Sequence, residues 1–360
     1  MGSTSIEDMN ELIGFVFGGK WTVISVHTSG GNPTGGIYSM CFDVTDGENT
    51  YFMKALDFNQ YIRRAEEREK KVDYVACLNS MTEQYLYERD LSKHCREKKV
   101  KNVACMIDDG QEFVKQLGMV VPYLVFDMAS CDLREKLDIS EKLDFVWKMK
   151  LLHDVAVGLN SLHNARITHQ DIKPSNILLY EESNHEYTKI GDLGRSTCEA
   201  ITSPFEDLLF TGDHTYAPPE RDYNIRYYND EDQKYFTDCY LLGSLVVFCI
   251  TGVSMNALLY QYLPESSHPG RFTGKYDQLN ADLHQAFMTA VENIRPCIPE
   301  TKYKDKLVET IQYLCHPDTT KRGHPKNLSQ KNGKPYRLER FVSILDLIHR
   351  QAEIEAFKHH

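Results

Sequence analysis

Between His169 and Asn176 the chain reads His-Gln-Asp-Ile-Lys-Pro-Ser-Asn, and Asp192-Leu193-Gly194 follows a short way downstream. Asp171, Lys173, Asn176 and Asp192 therefore come in the order carboxylate, ammonium, carboxamide, carboxylate. Phosphoryl transfer from ATP to a hydroxyl needs these group types. A carboxylate accepts the hydroxyl's proton, a cation sits on the travelling phosphate, and oxygen ligands hold Mg2+. Far upstream, Lys54 lies in Tyr51-Phe52-Met53-Lys54-Ala55-Leu56, where strand alternation would turn it toward a cleft, a solvent-facing strand lysine being the other reading of the residue alone.

Three further motifs appear in fixed order: Pro218-Pro219-Glu220, then Asp238 opening Asp238-Cys239-Tyr240-Leu241-Leu242-Gly243, then Arg322 in His316-Pro317-Asp318-Thr319-Thr320-Lys321-Arg322. One of these alone is weak, but the ordered set resembles the eukaryotic-type (Hanks-type) protein kinase superfamily. The likeness covers residues 20–325 and is that of a divergent, bacterial-like Ser/Thr kinase with His-Gln-Asp and Asp-Leu-Gly motifs. The resemblance implies that Asp171 is the catalytic base and that Lys173 contacts the γ-phosphate. It assigns Asn176 and Asp192 to Mg2+ and His169 to a structural role behind the loop. It also implies that Asp238 braces the catalytic loop and that Glu220 forms a buried ion pair with Arg322.

In the first third, the resemblance gives Lys54 to the α- and β-phosphates of ATP. Its partner should be a glutamate on the next helix. Met81, Tyr85, Glu88 and Cys95 share one helical stripe, so Glu88 is a charge on an inward face and needs a counter-charge. Glu83 and Glu69 stay as alternatives, because residues 57–80 look inserted. That insert, rich in Arg63, Arg64, Glu66, Glu67, Arg68, Glu69, Lys70 and Lys71, reads as a solvated helical face, with a docking site as the other reading. Gly30, Asn32, Gly35 and Ile37 match a phosphate-covering loop if Asn32 replaces its middle glycine, asparagine being tolerant of positive φ. Pro33 removes one N–H there. Taken alone the stretch reads equally as a turn. Tyr123 to Ala129 resembles the hinge that binds adenine, with Phe126 as gatekeeper, the Asp127 carbonyl and Ala129 amide on the base, and Asp132 near the ribose. Phe126 by itself reads better as core packing.

Three departures from the family pattern matter. Gln170 replaces the arginine that pairs with an activation-segment phosphate, and an amide lacks that bidentate charge-assisted contact. Control by phosphorylation of that segment is therefore not expected, although Arg195 is a nearby substitute cation. Leu193 for phenylalanine keeps the position apolar. Asp213 stands where Ser/Thr kinases carry threonine, and either adds a carboxylate beside Asp171 or selects a basic or unusual acceptor. Lys173 still favours serine or threonine over tyrosine as the acceptor.

The elements that must position these groups form an α+β pattern. A helical extension at 1–20 precedes strands at 21–26, 37–44 and 51–54, helices at 61–71 and 81–95, and strands at 103–107 and 120–126. Helices follow at 143–164, 238–251, 281–294, 305–315 and 339–357. This predicts a bilobal protein-kinase-like fold, with a small sheet-plus-helix N-lobe at 21–128 and a larger helical C-lobe at 129–360. The join is expected near Asp127 to Ser130.

The 360 residues are 41% hydrophobic and 26% charged, as in soluble globular proteins, and the net charge of −11 argues against a nucleic-acid partner. The apolar run Tyr240 to Val253 is short for a membrane span and reads as a buried core helix, so no membrane partner is expected. Ten cysteines without a C-x-x-C pair suit a reducing cytoplasm. Expected partners are ATP, Mg2+ and a protein substrate, with room for a regulatory protein. Two alternative readings remain: a nucleotide-binding pseudokinase scaffold, and a small-molecule phosphotransferase of the antibiotic or choline kinase type.

Overall fold

Trp21 and Val23 are buried while Thr22 and Ile24 are not, and this two-residue period sets the first sheet. In the computed structural model, described for residues 9–29, 32–33, 39–68, 71–139, 143–183, 185–206, 208–225 and 230–358, the first strands are short and long pieces in turn. They are β1 (Val16–Phe17), β2 (Trp21–Val26), β3 (Thr28–Ser29), β4 (Asn32–Pro33), β5 (Ser39–Thr45), β6 (Thr50–Leu56), β7 (Asp108–Val114) and β8 (Met119–Asp127). Six of them make an antiparallel sheet in the order β1-β2-β5-β6-β8-β7. One face buries Trp21, Met40, Phe42, Met53, Tyr123 and Val125 with Leu12 and Phe17. The opposite face places Leu56, Leu124 and Phe126 against Met81 and Tyr85 of a long helix. Met53 and Ala55 belong to the first face, so Lys54 between them must point to the second.

Helix α1 (Phe58–Arg68) and helix α2 (Tyr74–Glu97) follow β6. Asp73 caps α2 by accepting from the Ala76 N–H at 3.0 Å, which starts this helix well before the expected Met81. Phe58 and Tyr61 of α1 pack into the α2 side of the sheet, and the Tyr61 hydroxyl donates to Ser80 Oγ at 3.2 Å. The insert is thus a helix packed on one side, while Glu66 and Glu67 face solvent.

Two expectations are corrected here. Of the helical extension at 1–20, residues 9–10 are helical, and a turn at 11–14 and strand β1 follow where the helix was expected to continue; residues 1–8 lie outside the described residues. Gly14 adopts φ 85 and donates to the Val23 carbonyl, so edge pairing with β2 wins over helical preference. The expected strand at 103–107 holds only a single bridge, Val103 to Ile190, and the strand forms later, at β7. Asp108-Asp109-Gly110 looks like a turn signal. Gly110 is instead needed because the Tyr123 ring from β8 occupies the space of a side chain.

The chain leaves the sheet after Asp127, and by Ser130 its N–H already bonds Leu179 of the second lobe at 2.7 Å. There β9 (Cys131–Asp132), α3 (Leu133–Ile139), α4 (Phe145–Asn164), β10 (Ile167–Thr168), β11 (Ile177–Glu182), β12 (His185–Ile190) and β13 (Thr197–Cys198) precede α5 (Pro219–Asp222). Then come α6 (Asp230–Thr251), α7 (Met255–Tyr262), α8 (Asn280–Ile294), α9 (Lys304–Cys315) and α10 (Glu339–Lys358). Tyr240 to Val247 of α6 are all buried, so this helix is the core of the lobe. It is also the one described helix long and apolar enough to cross a membrane, with 78% of the window buried in protein. It begins eight residues before the expected Asp238, which therefore sits inside the helix. A small sheet with a helix, joined to a larger helical lobe, is the bilobal kinase fold.

Candidate active site

Strand β10 delivers the chain into the loop His169–Asn176. Gln170 takes φ 66 there, a left-handed conformation that costs a non-glycine residue about 1–3 kcal/mol unless its surroundings enforce it. The enforcing group is Asp238, fully buried on α6. Its carboxylate accepts the main-chain N–H of His169 and of Gln170, each at 2.8 Å, and meets His163 Nε2 at 2.9 Å. The Gln170 amide donates to the Lys234 carbonyl at 2.7 Å and to Asp238 at 3.1 Å, so it is spent inside the lobe. His169 Nε2 lies 3.0 Å from the Gly191 carbonyl and ties this loop to the Asp192 segment.

Asp171 is buried among three neighbours. Asn176 Nδ2 donates to its carbonyl at 2.8 Å and to its Oδ2 at 3.0 Å, Lys173 Nζ stands 3.0 Å from Oδ2, and the Asp213 N–H donates to Oδ1 at 2.8 Å. Burial pushes the Asp171 carboxyl above its ordinary range, Lys173 opposes this and Asp192 adds to it. A carboxylate made more basic and already aimed is suited to take a proton. For Lys173, burial works against the charge, but Asp171 and then Asp213 outweigh it and keep the ammonium protonated. Asp213 Oδ2 lies 3.5 Å from Lys173. Burial raises the Asp213 carboxyl, yet the hydrogen bonds from Thr215 and the charge of Lys173 hold it below its usual value.

Asp192 takes φ 56 after β12, with the Gly194 N–H on its Oδ1 at 3.3 Å. Lys54 reaches it from the sheet at 3.5 Å and holds its carboxyl down to about 2. Lys54 also bonds both oxygens of Glu88 at 2.9 Å. Burial disfavours its charge, but Asp192 and Glu88 together hold it well above the ordinary lysine range. Burial raises the Glu88 carboxyl, with Lys54 opposing. The stripe on α2 thus selects the glutamate that pairs with Lys54. Glu83 is exposed and accepts from Asn79 at 2.8 Å, and Glu69 lies outside the described residues. Tyr87, next to Glu88, donates to the Ser196 carbonyl at 2.9 Å and fixes α2 to the segment after Asp192. Sequence reasoning had no signal for that bond, since an aromatic beside an inward stripe reads as core.

These donors fit Mg2+ and a triphosphate. Asn176 spends its amide nitrogen on Asp171, leaving its carbonyl oxygen for a cation, and Asp192 stays ionised with its side chain 45% exposed. Among the described residues no group of three His, Cys, Asp or Glu side chains could hold a metal by itself.

The base-binding expectations stand differently. Gly30, Gly35 and Ile37 lie outside the described residues, and Asn32 is described only as main chain pairing with Ser29 in β4. Phe126 pairs with Phe52 across β8 and β6, their rings 6.3 Å apart. Asp127 is exposed at the end of β8 with Lys189 3.6 Å from its carboxylate, and Ala129 is half-buried in the connection. Asp132 caps α3, accepting from the Glu135 N–H at 2.9 Å, and its second oxygen is 3.7 Å from Arg134.

The structural pair is as the sequence implies. Arg322 donates to both Glu220 oxygens, at 2.6 and 2.9 Å, with both side chains buried, and also to the His316 carbonyl at 2.8 Å. Arg195 stacks over the Phe205 ring at 4.7 Å.

Comparison with known proteins agrees with this geometry. Residues 62–332 match the family model of the protein kinase domain, so Lys54 and the strands before it lie outside the match. The chain is 37% identical over 103 residues to receptor-interacting serine/threonine-protein kinase 4 of Mus musculus, covering 27% of this chain and 13% of that protein. It is 28% identical over 207 residues to mitogen-activated protein kinase kinase 2 of Arabidopsis thaliana, covering 54% of this chain and 50% of the relative. A third relative is inhibitor of nuclear factor kappa-B kinase subunit alpha of Gallus gallus, 29% identical over 174 residues, 47% of this chain and 21% of the other. The chain thus spans half or less of the length of these curated relatives. A match over most of the chain, on a two-lobed fold, makes this chain a member of the protein kinase family.

Proposed function

We propose that this protein transfers the γ-phosphoryl group of Mg·ATP to a serine or threonine hydroxyl of a protein substrate. The observation that carries the reading is the joining of Lys54, Glu88 and Asp192 from three separate elements by direct ion pairs, opposite the buried Asp171–Lys173–Asn176 cluster. When bound, Mg·ATP supplies the transferable group and neutralises its oxygens. Lys54, fixed by Glu88, would hold the α- and β-phosphates, and Asp192 and Asn176 would hold the metal. Asp171 would receive the acceptor's proton as its oxygen bonds phosphorus, ADP leaving as the other product. Lys173 would stand on the γ-phosphate side. Asp132 and the main chain at Asp127 and Ala129 would meet the ribose and base, with Phe126 behind them and Gly30, Asn32, Gly35 and Ile37 covering the phosphates. The Asp-x-Lys-x-x-Asn spacing and the serine/threonine kinase named among the relatives support the acceptor class. Ten cysteines without a C-x-x-C pair support a cytoplasmic location.

Incubation with γ-labelled ATP, Mg2+ and dephosphorylated casein, followed by acid hydrolysis, tests the reading. Label in phosphoserine or phosphothreonine is expected. Label confined to phosphotyrosine, or transfer to kanamycin but not to protein, would overturn the assigned acceptor class.

A further inference from the structure

We propose that Cys95 and Cys105 form a redox modification site, closed to a disulfide by a hydroperoxide and reopened by a thiol reductant.

Ser92, Cys95 and Arg96, at i, i+3 and i+4, share one face at the end of α2. The two residues flanking Cys95 on that face both hold the main chain of Met106. Ser92 Oγ accepts its N–H at 2.7 Å, and Arg96 donates to its carbonyl at 3.2 Å. On the other side the Ala104 N–H donates to the Ile190 carbonyl at 2.8 Å, and the Ile190 N–H to the Asn102 carbonyl at 2.8 Å, which ties this segment to the end of β12. Cys105 stands between the two anchors. It packs against the cluster that contains Cys95, and the Cys95 thiol donates a hydrogen bond to its sulfur. Cys95 is fully buried and Cys105 only partly so, and a small oxidant therefore meets Cys105 first.

The same hydrogen bond lowers the Cys105 thiol below its ordinary range. Burial opposes this, and Lys189, the Ser92 hydroxyl and Arg96 add to it. Cys95 moves the other way, by donating that bond and by burial. Cys105 is thus the attacking thiolate and Cys95 the resolving thiol. The Cys105 sulfur takes one peroxide oxygen as the O–O bond breaks, and the hydroxide released takes up the proton Cys105 gave on ionising. The Cys95 sulfur then bonds the Cys105 sulfur, the S–O bond breaks, and the Cys95 proton leaves with the hydroxyl as water. Two thiols are oxidised and one hydroperoxide is reduced. The new bond would fasten α2, which carries Glu88, to a segment already bonded to the strand that leads into Asp192.

The test treats the full chain with about one equivalent of hydrogen peroxide, blocks the remaining thiols with N-ethylmaleimide in denaturant and maps tryptic peptides by mass spectrometry. Trypsin separates His94-Cys95-Arg96 from the peptide 102–115, so the two should appear joined and should part on adding dithiothreitol. The exposed Cys297 should be oxidised at least about tenfold less. In Cys95→Ala the sulfenic acid has no resolving thiol, and dimedone should label Cys105. Peroxide that spares both cysteines, a disulfide from Cys95 to Cys198 instead, or dimedone label on Cys95 in a Cys105→Ser protein with none on Cys105 in Cys95→Ala, would overturn the inference. Should Cys95→Ala fail to fold, the peptide map of the unaltered chain decides.

Discussion

Lys54→Ala and Asp192→Asn should each remove detectable turnover while leaving the protein folded. Lys54 is the meeting point of two carboxylates from different lobes, bonded to Glu88 at 2.9 Å and 3.5 Å from Asp192. Without its charge, Glu88 and Asp192 are left as two acids and the triphosphate loses its cation. Asp192→Asn removes the carboxylate that Lys54 holds down to about 2, and with it an oxygen ligand proposed for Mg2+. Charge stabilisation of this kind is the largest share of phosphoryl-transfer catalysis, so the expected loss is at least about a hundredfold. Circular dichroism and thermal melting check folding, and a coupled ADP assay reads the rate. A variant that keeps more than about a tenth of the wild-type rate shows that the cation or the metal ligand has been misassigned.

The second large effect is on stability. Glu220→Ala leaves Arg322 in the core of the helical lobe with no counter-charge, its remaining bonds being to main-chain carbonyls and its guanidinium lying over the Tyr240 ring. Both partners are fully buried, and breaking such a pair by removing one member costs about 3–5 kcal/mol. In a protein of this size that corresponds to a fall in Tm of roughly 5–10 °C, with activity lost through unfolding. A Tm within a degree of wild type would show that the pair does not hold the lobe.

Much of the site was legible in the sequence because its chemistry sits in short ordered motifs. Asp171, Lys173, Asn176 and Asp192 lie close together in the chain, and two-residue alternation was enough to turn Lys54 away from the Met53 face. Glu88 was legible for a different reason: a carboxylate on an apolar helical stripe must find a cation. What escaped notice depended on contacts between distant residues. Gly110 reads as a turn unless the Tyr123 ring above it is known. The segment around Gly14 reads as helix until β2 is available to pair with it. The early start of α2 turned on a single cap at Asp73. Gly212 and Asp213 aligned with a family motif, but only the folded chain shows that they press on Gln170 and Asp171.

The most direct measurement of the central claim is Asp171→Asn, with nucleotide affinity and turnover read on the same preparation. Asp171 touches Lys173, Asn176 and the Asp213 N–H, whereas Lys54 and Asp192 contact one another elsewhere in the cleft. If Asp171 accepts the acceptor's proton, ATP should bind the variant within about threefold of wild type while kcat falls by roughly 10²–10⁴, the range for a positioned base. A fall in ATP affinity as large as the fall in kcat, or a rate within about threefold of wild type, would contradict the account.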